Sequence, residues 1–150
     1  MKIYFAARMG RKAEIERYAS HMRSRGANVV SKWHTPGNHA MNDAADDCER
    51  HDFAIDDLES VESANVLIVF TEDPKTAHTL SIMSYGGRFV ELGYCLGLNK
   101  RRVAPAIIVI IGPHENVFVY LRGVKRYSRW NDFLQAFDAG SSGWKAYAAL

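Results

Sequence analysis

Short apolar runs recur along the chain at intervals that suit alternating strands and helices. Residues 2–7, 28–33, 66–70 and 106–111 are such runs and predict four strands, and residues 124–127 predict a short fifth strand. The third run, Val-Leu-Ile-Val-Phe, is apolar at every position, which is typical of a strand that is covered on both faces.

Helical spacing of apolar residues fills the intervals between these runs. It predicts helices over residues 11–25, 43–64, 115–121 and 130–137, and a further helix that contains Glu91 and ends near Asn99. Strands that alternate with helices favour a parallel sheet with helices on both faces. The expected fold is therefore an α/β three-layer sandwich whose parallel sheet has four to five strands.

Composition and charge narrow the class of protein. The chain has 150 residues, of which 47% are hydrophobic and 24% are charged, as expected for one globular domain. A net charge of +2 argues against a nucleic-acid surface. The most apolar stretch, residues 103–111, is too short to span a membrane, and the N-terminus lacks a signal peptide, so we expect a cytoplasmic protein. Residues 140–143 predict a flexible joint before a tail at residues 144–150.

Glu91 is the leading candidate for a catalytic residue. It follows Gly86 and Gly87 in the first turns of its helix, among apolar neighbours whose packing does not need a carboxylate. The dipole and the backbone N–H groups near a helix N-terminus favour the ionised form of such a side chain. A glycine-lined entry with an acid behind it suits a ligand that lies against the backbone.

A second acid precedes the third strand. A retaining glycosidase-type reaction needs one carboxylate as nucleophile and a second group for the leaving-group proton, with the two carboxyl groups about 5 Å apart. Asp57 together with Glu91 could form such a pair. The alternative is that Asp56 and Asp57 are both solvated helix residues.

Other candidate ligand contacts follow the predicted strands, at the edge where ligands bind in parallel sheets. Glycines, hydroxyls and an arginine before a helix can cradle a sugar or a phosphate, and arginine suits bidentate phosphate contacts. Solvated turns and loop flexibility are the alternatives. The candidates are Arg8, Gly10, Ser84, Gly86, Gly87, Arg88 and Asn116.

No metal site or organic cofactor is predicted. His34, His39, Cys48 and His51 fit no standard zinc spacing. Trp33, at the end of the second predicted strand, either stacks on an aromatic ligand or packs in the core.

Six pieces of sequence occur in a fixed order. They are Ile3-Tyr4-Phe5-Ala6-Ala7, Asp57-Leu58-Glu59, Ser63-Ala64-Asn65-Val66, Gly87, Glu91-Leu92-Gly93-Tyr94 and Asn99-Lys100. In order and spacing they resemble the nucleoside 2-deoxyribosyltransferase family and its relatives, the 2′-deoxynucleoside 5′-monophosphate N-glycosidases and the CMP N-glycosidases. The resemblance covers roughly residues 2–133 and is most specific around Glu91.

The resemblance implies a flavodoxin-like (Rossmann-like) fold and a set of roles. Glu91 would be the nucleophile that forms a covalent 2-deoxyribosyl ester, Asp57 would help protonate the departing base, and Tyr4 would orient one carboxylate through its hydroxyl. Members usually form dimers or larger oligomers whose subunits complete each other's sites. We therefore expect a homo-oligomer that binds a nucleoside or nucleotide, with no nucleic-acid or membrane partner.

Departures from the transferase pattern favour a 5′-monophosphate. The transferases carry an aspartate six residues before the nucleophile, where this chain has Tyr85, and the phosphate-dependent hydrolases carry a serine there, one residue from Ser84. Residues 122–129 resemble the hydrolase stretch whose serine, here Ser128, reaches the phosphate in the adjacent subunit. The glycine that is usual two residues before the nucleophile is Phe89 here.

The sequence thus predicts cleavage of the N-glycosidic bond of a 2′-deoxynucleoside or its 5′-monophosphate, with transfer of the sugar to water or to another base. The alternative is a catalytically silent, nucleotide-binding regulatory module of the same fold, because a fold does not fix a function.

Overall fold

The computed structural model describes residues 1–37, 45–73 and 86–140. Within these residues five strands form one parallel sheet in the order β2-β1-β3-β4-β5, which confirms the predicted flavodoxin-like topology. The strands are β1 (Lys2–Ala6), β2 (Asn28–Val29), β3 (Val66–Phe70), β4 (Ile107–Ile111) and β5 (Val124–Tyr127). In register, Ile3 of β1 pairs with Val66 of β3, which in turn pairs with Ile107 of β4.

Helices cover both faces of the sheet. In the described residues they are α1 (Lys12–Arg23), α2 (Asp47–Ser63), α3 (Gly87–Asn99) and α4 (Trp130–Asp138), with 3₁₀ turns at Met9–Arg11 and Val117–Tyr120. Helices α2 and α3 pack together on one face. Helices α1 and α4 meet on the other face, where the ring of Tyr18 stacks on Trp130 at a centroid distance of 4.3 Å.

The alternation of side chains along β1 links the core to the edge of the sheet. Phe5 faces α4, with its ring 6.1 Å from that of Trp130, whereas the neighbouring Tyr4 faces α3 and reaches Glu91. Both Tyr4 and Phe5 are fully buried. The side chain that reaches the candidate site is therefore held by the packed core.

The second strand is shorter than the sequence predicts. Residues 28–33 were expected to pair throughout, but only Asn28 and Val29 do. Val30 N still donates to Ile3 O (2.8 Å), but beyond it side chains replace the backbone ladder. Phe5 N donates to Ser31 Oγ (3.2 Å) and Trp33 Nε1 donates to Phe5 O (2.7 Å). The chain therefore stays attached to β1 while it leaves the sheet.

Side-chain caps fix where the elements that flank the site begin and end. The carboxylate of Asp46 accepts from Glu49 N and the carboxylate of Glu49 accepts from Asp46 N, a capping box that starts α2 at Asp47. At the end of α3, Asn99 Oδ1 accepts from Ala106 N and its Nδ2 donates to Ala106 O, both at 2.8 Å. This pair of hydrogen bonds joins α3 directly to the start of β4. None of the described helices has the length and apolarity needed to cross a membrane.

Candidate active site

A cavity of about 350 Å³ opens at the carboxyl edge of the sheet, between α2 and α3. It lies beside β1, where the order of the strands reverses along the chain, and this is the place at which parallel α/β sheets bind ligands. Its wall combines charged with apolar side chains, chiefly Arg50, Asp57, Arg88, Glu91, Met9, Trp33, Phe53 and Ala54.

Tyr4 and Glu91 are joined by a short hydrogen bond in this cavity. The Tyr4 hydroxyl donates to Glu91 Oε1 at 2.5 Å. Burial, followed by the negative charges of Glu91 and Asp57, raises the pKa of Tyr4 well above its usual value. The hydroxyl is therefore a permanent donor, and it holds one oxygen of Glu91 in a fixed place.

The environment of Glu91 acts on its ionisation in both directions. Burial raises its pKa to about 8, and the charge of Asp57 adds to this, whereas the hydrogen bond from Tyr4 and the charge of Arg88 lower it. Burial therefore outweighs any preference of the helix N-terminus for the carboxylate. The reason is one of magnitude, since a helix terminus contributes about 0.3–1 kcal/mol, whereas burial can move a pKa by several units.

Asp57 is the partner carboxyl group. Burial raises its pKa to about 6, the Tyr4 hydroxyl lowers it, and the neighbouring charge of Asp56 raises it further. Asp56 itself is exposed and lies 3.4 Å from Lys32 Nζ, so it is a solvated helix residue, whereas Asp57 turns into the cavity. The charge of Asp57 raises the pKa of Glu91, so the two groups titrate as a coupled pair. Their pKa values of about 6 and about 8 correspond to one shared proton near neutral pH.

Arg88 supplies a buried positive charge to the same wall. Its residue is 2% exposed, its Nη2 donates to Glu115 Oε1, and its guanidinium carbon lies 4.5 Å from the ring centre of Phe89. Gly87 lines the cavity next to it. Among the described residues, nothing lies within 4 Å of a Cβ placed on Gly86 or Gly87, so helix packing there does not require a glycine.

Trp33 packs in the core and also borders the cavity. It is 4% exposed and its Nε1 is hydrogen-bonded to the core strand β1, yet it also lines the cavity. Ser84 lies outside the described residues, as do His39 and the predicted tail.

Arg8 and Ser128 lie elsewhere in the same chain. They line a second cavity of about 810 Å³ on the α1 and α4 side of the sheet. Arg8 Nε is 3.7 Å from Glu72 Oε1, and Gly10 leaves room for the Arg8 guanidinium, since a Cβ on Gly10 would lie 2.5 Å from Arg8 Nη1. Within one protomer, therefore, the structure does not bring Arg8, Gly10 or Ser128 to Glu91.

Asn116 has a local structural contact. Its Oδ1 accepts from Phe118 N at 2.9 Å and caps the 3₁₀ turn Val117–Tyr120, which takes the place of the helix predicted over residues 115–121. Asn116 is not among the residues that line either cavity described above.

The sequence reasoning missed two groups of site residues. Arg50 and Phe53 precede Asp57 by seven and four residues, so they share its face of α2, and this spacing could have identified them. Glu115 follows β4 in a loop and carries no periodic signal that could have pointed to Arg88. In the described ranges no three His, Cys, Asp or Glu side chains group as they would around a metal ion.

Comparison with known proteins places the fold. No family model matches the chain, and no curated protein matches its sequence. Solved structures that share its fold include a 2-deoxyribosyltransferase from Bacillus psychrosaccharolyticus, which is 16% identical with a TM-score of 0.59 over 89% of this chain and 90% of that one. Another is the CMP N-glycosidase BcmB of Clostridium botulinum, 13% identical with a TM-score of 0.54 over 93% of this chain and 99% of that one. At these identities the likeness establishes the fold.

Proposed function

We propose that this chain cleaves the N-glycosidic bond of a 2′-deoxynucleoside or its 5′-monophosphate through a covalent glycosyl-Glu91 intermediate. One observation carries the proposal: Glu91 and Asp57 line one cavity at the carboxyl edge of the sheet, and the buried Tyr4 hydroxyl donates to Glu91 from behind it. The activities of the two structural neighbours, a deoxyribosyltransferase and a nucleotide N-glycosidase, are in keeping with it.

In the first step a carboxylate oxygen of Glu91 attacks the anomeric carbon of the sugar. The bond from that carbon to the base nitrogen breaks, its electron pair goes to the base, and the base takes a proton from Asp57. The hydrogen bond from Tyr4 keeps one oxygen of Glu91 in place, so the other oxygen is presented to the sugar. This step uses the single proton that the two carboxyl groups hold near neutral pH.

In the second step water or another base attacks the same carbon. The ester bond breaks, its electron pair returns to Glu91, and Asp57 takes up the proton that the attacking group loses. Splitting one displacement into two requires no metal or organic cofactor. Transferase and hydrolase activity differ in whether a second base occupies the emptied pocket before water does.

The walls of the cavity suggest how the substrate lies. Phe53 and Trp33 give an apolar face for the base, and Arg50 can donate hydrogen bonds to its polar edge. We place the sugar, and any 5′-phosphate, at the helix entry at Gly86 and Gly87. Ser84, which lies outside the described residues, stays a predicted contact.

We also propose a homo-oligomer that shares its sites. In one protomer Ser128 lines the other cavity, so any contact between a serine at this position and a phosphate at the Glu91 site would come from a neighbouring subunit.

Base release from a panel of deoxynucleosides, ribonucleosides and their 5′-monophosphates, measured by liquid chromatography, tests the proposal. Replacement of Glu91 by Ala is expected to lower kcat by roughly a thousandfold or more, as losses of a covalent nucleophile do. Glu59→Ala, which removes an exposed carboxylate of the same helix as Asp57, is the matched control and is expected to retain activity.

Mass spectrometry of the intact protein gives the second readout. The wild type incubated with substrate is expected to gain the mass of one glycosyl group, and the Glu91→Ala protein is not. Unchanged base release by that variant would contradict the assignment. Tight binding of an intact nucleotide by the wild type, with no base released over hours, would instead support the silent regulatory module.

A further inference from the structure

Both carboxylate oxygens of Glu115 are engaged at the carboxyl edge of the sheet. Oε1 accepts from Arg88 Nη2 at the start of α3, and Oε2 accepts from Glu72 N, just beyond the end of β3, at 3.0 Å. The Glu115 side chain is 13% exposed. Glu115 thus connects the helix that carries Glu91 to the end of the central strand.

The turn that presents Glu115 is itself fixed. Gly112 has a φ of +122°, which favours glycine, and a Cβ there would lie 2.8 Å from Thr71 O. Gly112 N donates to Tyr127 O at 3.0 Å, and Thr71 N donates to Ile111 O at the same distance. These contacts bind the turn to the strands on either side, so Glu115 starts from a defined position.

Arg88 is placed to act on Glu91. The two residues are three apart on α3 and so lie on neighbouring positions of one helix face, and both line the cavity. A buried guanidinium is stable only when charge and hydrogen bonds compensate its lost hydration. Glu115 supplies such compensation.

We propose that Glu115 is a positioning residue of this site, which holds the Arg88 guanidinium against the wall of the Glu91 cavity. The inference rests on the proposed function for its catalytic meaning, but its structural part can be measured separately. Without Glu115, the Arg88 side chain leaves the wall to regain hydration.

The consequence for Glu91 follows from the charged groups that face it. Tyr4 from β1 donates to it, Asp57 from α2 disfavours its ionised form, and Arg88 from α3 favours that form. When Arg88 moves away, Glu91 holds its proton more tightly. The state with an ionised Glu91 and a protonated Asp57, which the first chemical step needs, is then less populated.

Titration of the Glu91 side-chain carboxyl by carbon-13 NMR in the unliganded protein is the direct test. Glu115→Ala and Arg88→Ala are each expected to move its midpoint to higher pH by at least roughly half a unit, since a close opposite charge shifts a carboxyl pKa by about 1–3 units. The double variant is expected to match Arg88→Ala alone, because both changes remove the same interaction.

Two further variants separate position from charge and from general destabilisation. Glu115→Asp keeps the charge but cannot span Arg88 and Glu72 N together, and it is expected to shift the midpoint in the same direction by less. It also replaces Glu115→Ala if that variant does not fold. Asp138→Asn breaks the Arg25–Asp138 ion pair on the opposite side of the sheet, and the Glu91 midpoint is expected to stay unchanged.

Base release then links the position of Arg88 to catalysis. Glu115→Ala is expected to lower kcat about tenfold with a smaller change in KM, because the loss is in the population of the reactive protonation state. An unchanged Glu91 midpoint in Glu115→Ala, or fully additive shifts in the double variant, would overturn the inference. If the wild type releases no base, the proposed function fails, while the titration still decides whether Glu115 positions Arg88.

Discussion

At the scale of single residues, the two carboxyl groups of the site differ by environment and not by chemistry. Burial raises the pKa values of Glu91 and Asp57 to about 8 and about 6. The pair therefore holds one proton near neutral pH, and the proposed first step needs that proton on Asp57. The Tyr4 hydroxyl and the Arg88 charge both favour this arrangement, because each lowers the pKa of Glu91.

The same pair predicts a bell-shaped dependence of kcat/KM on pH. Below about pH 6 both groups are protonated and no nucleophile is present, and above about pH 8 both are ionised and no acid is present. We expect the highest rate of base release between these values. The Asp57→Asn variant is expected to be slower than the wild type. Its rate should rise with pH to a plateau and should not fall at alkaline pH, because the acid that the wild type loses there is already absent. A flat profile from pH 5 to pH 9 for the wild type would contradict the argument that the active pair holds one proton.

At the scale of elements, hydrophobic periodicity predicted the bounds of some strands correctly. It failed where side-chain hydrogen bonds take the place of backbone pairing. Strand β3 has the bounds that its apolar run predicts, because every residue of the run is buried in a strand that is covered on both faces. Strand β2 was overestimated, because Ser31 and Trp33 bond to β1 through side chains, which hydrophobic spacing does not reveal.

The sequence also predicted part of the candidate site and missed the position of the rest. The resemblance singled out Asp57 and Glu91, and in the structure both line one cavity, with the Tyr4 hydroxyl bonded to Glu91. The sequence could not show on which face of the sheet Arg8 and Ser128 would lie, since the side chains of a loop have no fixed period. Only the tertiary structure shows that Arg8 and Ser128 line a different cavity from Glu91.

A buried histidine connects β1, the segment after β2 and α1, and it makes a prediction about stability. His34 Nδ1 lies 2.7 Å from Glu16 Oε2, and its Nε2 lies 2.9 Å from Ser31 Oγ, which also accepts from Phe5 N. The arrangement looks like a catalytic triad, but Ser31 and His34 are 2% and 1% exposed and line no cavity described above, so its role in the described structure is to hold elements together.

Burial lowers the pKa of His34, so the unfolded chain binds a proton more readily than the native state does. The stabilisation from His34 is therefore fully present above the pKa of about 6.5 that a histidine has in the unfolded chain, and it is lost as the pH falls below that value. His34→Gln is expected to cost roughly 1–3 kcal/mol at pH 7.5, measured by urea unfolding, and this deficit should shrink at pH 5.5. His51→Gln, at an exposed position, serves as the control, and a deficit independent of pH would contradict the argument.

At the scale of the whole molecule, several exposed apolar side chains lie together in the turn after Glu115. Val117, Phe118, Tyr120 and Leu121 are 75%, 56%, 58% and 43% exposed and follow one another in the turn after Glu115. An exposed apolar patch at the edge of a domain marks an association surface. We propose that this patch, formed by Val117, Phe118, Tyr120 and Leu121, contacts a second copy of the chain and brings the two sites together.

Phe118→Glu tests this assembly, because a charge in the middle of an apolar contact is left without hydration when two copies meet. Light scattering after size-exclusion chromatography is expected to show a smaller particle than the wild type. Under the proposed sharing of sites, base release is expected to fall in parallel. Val103→Glu, at a fully exposed position between α3 and β4, should change neither quantity. A monomeric wild type at micromolar concentration with full base release would show that one protomer completes the site by itself, and the proposed sharing would then be wrong.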